Sequence, residues 1–167
     1  MRTILRSIAV LAVFAGSVYG QEQTGQAQAD AHDHANMMER GEKGMGFSQT
    51  ATTHHFLLKK DGGLIQVTAN DPKDLAARDE IRMHLQHIAQ LFSKGDFDIP
   101  MFVHDQVPPG VPEMKQLKGE IHYEYAEIPG GGKVSMSSSN ATAVAAIQKF
   151  LRFQIAEHQT HDPETVK

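Results

Sequence analysis

The chain contains no cysteine. Disulfides, thiolate nucleophiles, cysteine-held metals, covalent haem attachment and a lipid anchor on cysteine are therefore excluded, and the chain must hold its fold by packing. Long apolar runs are also missing. The most hydrophobic stretch, Ile8 to Ala15, is too short to span a bilayer. The catalytic signatures His-Glu-x-x-His and Gly-x-Ser-x-Gly do not occur, nor does a phosphate-cradling glycine loop ahead of a helix. Gly130-Gly131-Gly132 lies between two strand patterns, where turn chemistry accounts for it.

The first twenty residues run from two cations, Arg2 and Arg6, through Ile8 to Ala15 and then to small and polar residues ending at Gly20. That order is the pattern of a secretory signal peptide, 1–20, so a periplasmic or secreted protein with no membrane span in the mature form is expected. The formal net charge of −4 falls to about −6 once Arg2 and Arg6 leave with the leader, which argues against nucleic acid or an anionic membrane as partner. With thiolates gone, the donors left for a soft or borderline metal are imidazole and thioether. There are ten His and eight Met, and all but Met1 lie beyond residue 20.

Residues 21–49 are rich in Gln, Ala, Gly, Asp and Glu and poor in aliphatic side chains, which reads as a disordered tail carrying His32, His34, Met37, Met38 and Met45. A single domain is expected over 50–163, with 164–167 as a C-terminal tail. Within it Phe56-Leu57-Leu58, the turn residues Asp61-Gly62-Gly63 and Leu64 to Thr68 read as a hairpin. Asp71, as N-cap ahead of Pro72, opens a helix to about Lys94 with Ala77, Ile81, Leu85, Ile88 and Phe92 on one face. A connection from Ile99 to Lys118 with four prolines follows. Phe102 and Val103 argue that it packs down, and a helical turn fits at Glu113 to Leu117.

The pattern then repeats. Glu120 to Tyr125 alternates, Pro129-Gly130 turns, Val134 to Ser137 returns, and Ser139 or Asn140 caps a helix whose face is Val144, Ile147, Leu151, Gln154, Ile155 and His158. One strand-strand-helix unit cannot bury its own sheet face. The expected fold is α+β: two such units sharing a four-stranded antiparallel sheet with two helices on one face. The order in which the hairpins pair stays open.

Helical and strand periods sort the histidines. His84 falls near the apolar stripe of the first helix and His158 within that of the second, whereas His87 and His122 fall on solvated sides. His54 and His55 must point to opposite faces of their strand, and either one fits the helix side. His104 belongs to the packed connection. Imidazoles from separate elements beside an apolar layer are the pattern of a His-rich metal site for copper or zinc, so His54, His55, His84, His104 and His158 are the candidate ligands, with Met83, Met101 or Met114 as a soft addition.

The blocks Met45 to Phe56, Val103 to Gly110 and Phe150 to His158 resemble an uncharacterised family of small exported (periplasmic) proteins of Gram-negative bacteria, over Gly44 to Pro163. Some of its members are labelled aspartate carbamoyltransferase. This chain is far too short for that two-domain enzyme and lacks its phosphate-binding motif. The resemblance implies no reaction; it places His54, His55, His104 and His158 in the shared blocks.

The sequence thus supports a soluble periplasmic protein that binds a transition metal through histidines, for sequestration or delivery, with the metal ion and a periplasmic protein as the partners to expect. The alternative is a metal-independent, non-catalytic interaction module with packed or pH-sensing histidines. A small metal-dependent hydrolase would further need an open coordination position and a carboxylate such as Asp105 or Glu157.

Overall fold

The computed structural model describes residues 34–166. The signal peptide reading, the tail up to residue 33 with His32, and Lys167 lie outside the described residues. The architecture is α+β. Strands β1 (Thr52–Lys59), β2 (Gly62–Ala69), β3 (His122–Ile128) and β4 (Gly131–Ser137) form one antiparallel sheet in the order β1-β2-β4-β3. A helix over 34–45, α1, precedes it. Helices α2 (Leu75–Ser93), α3 (Asp98–His104), α4 (Val111–Gln116) and α5 (Ala141–Glu157) complete the fold, with a 3₁₀ turn at Lys118–Glu120. Among the described residues no helix is long and apolar enough to cross a membrane.

Register fixes which side chains meet the helices. Phe56 lies opposite Ile65, Ile65 opposite Val134, and Val134 opposite Tyr125, so these four share a face. Leu58 and Met136 lie on the same face two residues along, as do His54 and Val67 in the other direction. Both long helices cover this face, but each crosses over. α2 follows the first hairpin and packs on β3 and β4, whereas α5 follows the second and packs on β1 and β2. Gly63 allows the close approach of α5, because a Cβ there would run into Leu151 and the Leu57 carbonyl.

α2 buries the expected stripe, Ala77, Ile81, Leu85, Ile88 and Phe92, with Ala89 added. Its N-cap is Asp74, whose carboxylate accepts from Ala77 N–H, and not Asp71. Asp71 accepts from Lys73 N–H two residues on, which makes a turn of the segment and moves the helix start downstream. Gly95, with φ of 80°, ends the helix in the left-handed region. In α5, Asn140 caps Thr142 and Ala143, and the buried face runs through Ala143, Ala146, Ile147, Phe150, Leu151 and Gln154.

Two expectations need correction. Residues 34–49 are not a disordered tail: α1 buries Met37, Phe47 follows it into the core, and Arg40 Nε donates to Val103 O at 2.8 Å. The connection after Gly95 does pack down, as α3 and α4, but through Pro100, Val103, His104, Val111 and Met114. Phe102 is about half exposed, because at about 100° per residue it falls on the side of α3 away from Pro100, Val103 and His104.

Candidate functional site

Four histidines from four elements line one cavity of about 70 Å³ between sheet and helices. β1 supplies His54, on the inward face with Phe56 and Leu58. α2 supplies His84, within the turn between Ile81 and Leu85. His104 is the last residue of α3, and His158 is the C-cap of α5. The crossing of α5 over the first hairpin brings His158 above His54, with ring centroids 5.7 Å apart and planes nearly parallel. His104 meets His158 edge-on at 5.2 Å and Phe153 at 4.9 Å. His84 stands apart from these three and reaches them through Phe47, whose ring lies 5.5 Å from His84 and 6.1 Å from His54.

His55 points the other way, as the strand period requires. Its Nδ1 lies 2.8 Å from Asp162 Oδ1, and the second Asp162 oxygen accepts from Phe56 N–H and the Thr160 hydroxyl. The local cause is the end of α5. Gln159 takes a φ of 50°, in the left-handed region, and turns the chain back so that Asp162 reaches the edge strand β1. Burial alone would raise the Asp162 carboxyl, but the hydrogen bonds from Phe56, Thr160 and His55 hold it below its ordinary value.

The inward histidines are held neutral. Burial, followed by like charge on His55, brings His54 down to about 4. Burial, then His54 and His87, brings His84 down to about 4. Burial, then His54, His104 and His34, pushes His158 well below the ordinary range. His104 is also lowered by burial, against the opposing pull of its hydrogen bond to Gln154 and of Glu157. A neutral imidazole keeps a lone pair, the form in which histidine ligates metal.

Two of those nitrogens are buried without a partner: His54 Nε2 and His104 Nδ1. Nε2 of His104 lies 3.0 Å from Gln154 Oε1, so with that oxygen accepting, the ring hydrogen sits on Nε2 and Nδ1 is unprotonated. Glu157 Oε2 stands 3.7 Å from this Nδ1, within ion-pair range but too far for a hydrogen bond. A second cavity of about 220 Å³ is lined by His54 and His158 together with Met38, Gln49, His55 and Thr160. His54 and His158 line both cavities.

Of the five candidate ligands, His54, His84, His104 and His158 line this first cavity and His55 does not, and His54, His104 and His158 group together while His84 lies beyond Phe47. Among the described residues no three His, Asp or Glu side chains already surround one point at metal distance. The soft donor at the cavity is Met45, at the end of α1, and not Met83, Met101 or Met114. Met83 is exposed, Met114 lies fully in the core, and Met101 sulfur faces Lys115 Nζ at 3.8 Å. Met45 and Gln154 were both readable as residue types, but their place beside the histidines depends on α1 docking and on the helix crossing. No protein-family model, curated protein or solved structure matches the chain.

Proposed function

We propose that this is a periplasmic protein that binds a transition metal, copper or zinc, through His54, His104 and His158, for sequestration or delivery. The observation that carries the reading is the convergence of neutral imidazoles from β1, α3 and α5 at the wall of one cavity, with a free nitrogen on His54 and another on His104. Two imidazoles on one tetrahedral ion, at metal–nitrogen distances of about 2.0–2.1 Å, have ring centroids about 5 Å apart. The separations of His158 from His104 and from His54, 5.2 and 5.7 Å, are close to that. His84 lines the same cavity beyond Phe47.

Purified without a tag from periplasm, the protein is expected to carry about one equivalent of metal, and His158→Ala to weaken binding by roughly 10–100-fold or more. Metal analysis that finds none, together with no thermal shift on adding Cu or Zn, would sink the reading.

A second reading is favoured by the lack of a ready three-donor group among the described residues. In it the histidines are a neutral core that senses pH without metal. A melting temperature that falls with acid, in a protein indifferent to every metal added, would select it.

A further inference from the structure

The metal-binding reading leaves the ion's identity open, and the lining of the cavity bears on it. The donors around the first cavity are imidazole nitrogens, the Gln154 amide and the Met45 thioether, and among the described residues no carboxylate lines it. The carboxylate that comes near, Glu157, approaches His104 at 3.7 Å and is 38% exposed. Asp162 already accepts hydrogen bonds from Phe56, Thr160 and His55 on the far side of β1.

Charge decides between candidate ions. The cost of taking an ion out of water grows with the square of its charge, so a divalent ion costs about four times as much as a monovalent one of the same size. Neutral donors in an apolar chamber leave a divalent ion uncompensated, whereas one neighbouring carboxylate balances a monovalent ion. Donor softness points the same way, because a thioether suits Cu(I) and structural zinc takes nitrogen, carboxylate oxygen or thiolate. The thioethers also occur in a useful order. Met38 lines the second cavity and Met45 the first, seven residues apart and so on one face of α1, with His54 and His158 lining both.

We propose that the site selects Cu(I) over Zn²⁺, with Met45 supplying a thioether beside His54 and His158 and with Met38 lining the way in. The inference rests on the metal-binding reading. No redox step is involved: the ion enters and is held as Cu(I).

The test is competitive titration of the full mature protein with Cu(I), kept reduced by ascorbate and buffered by bicinchoninate, and separately with Zn²⁺ against a chromogenic zinc chelator. Expected is one Cu(I) bound at least about 100-fold more tightly than Zn²⁺, with Met45→Leu weakening Cu(I) by roughly 10–100-fold and leaving Zn²⁺ unchanged. X-ray absorption of the native Cu(I) protein should show a sulfur neighbour, and this reading decides the matter if Met45→Leu fails to fold. Zinc binding as tight as Cu(I), or an all-nitrogen copper shell, overturns the Cu(I) inference and leaves the metal site standing. Binding of neither ion overturns both.

Discussion

His54 and His55 differ by one residue and have opposite environments, and the strand period is the whole cause. His54 Nε2 ends inside, without a partner, and His55 Nδ1 ends on a carboxylate. The sequence shows that the pair must divide, but not which member turns inward; that depends on whether Phe56 or Leu57 faces the helices. Asp162 was not legible as a partner at all, because it reaches β1 from more than a hundred residues away through the left-handed turn at Gln159. Its removal tests how firmly the C-terminal segment holds the sheet edge. Asp162→Ala takes the acceptor from Phe56 N–H, His55 and Thr160 together, and should cost about 1–3 kcal/mol in urea denaturation. Asp162→Asn, which keeps an acceptor oxygen, should cost less.

At the level of elements, legibility followed the strength of the period. α2 shows its stripe over five turns and both hairpins show their turn residues, so they can be read directly. α1 cannot, because its buried contribution rests on Met37 and Met45 among Glu, Lys and Gly, which gives no sustained period. α3 spans seven residues, too few to display one. The docking of α1 is open to direct measurement. Met37 is 2% exposed, so Met37→Ala should lower stability by about 2–4 kcal/mol, the cost of a large-to-small change in a packed core. An unchanged urea midpoint would return this segment to the status of a loose tail, and would take Met45 from the cavity with it.

The molecule as a whole should respond to acid. His54 and His84 have folded values of about 4, below the ordinary 6.5, and His104 and His158 are lowered as well. Below pH ~6.5 the unfolded chain takes up protons that the folded chain refuses, so stability is greatest above that value and falls as the pH drops towards 4. The fall should amount to a few kcal/mol in all, and Asp162, whose carboxyl is lowered, extends it below its ordinary value of 3.8. Chemical denaturation at pH 7.5, 6, 5 and 4 checks this, and a flat profile would mean that the inward histidines are solvated. The α+β architecture and the pairing of inward histidines with an apolar layer could be read from sequence. The strand order could not, since two hairpins with similar patterns can join through either strand.

The crossing of the helices has a consequence for how the protein comes into being. Because α2 lies mostly on the second hairpin and α5 on the first, neither half of the internal repeat completes its core by itself. A chain emerging from its N-terminus presents β1, β2 and α2 with their apolar faces incompletely covered until β4 and α5 have followed. His54 and His158 belong to opposite halves, so the lining they share in the two cavities assembles only when the last helix closes. A ligand held there would bind completed molecules and pass over the half-made ones, lending its binding energy to the final step of assembly.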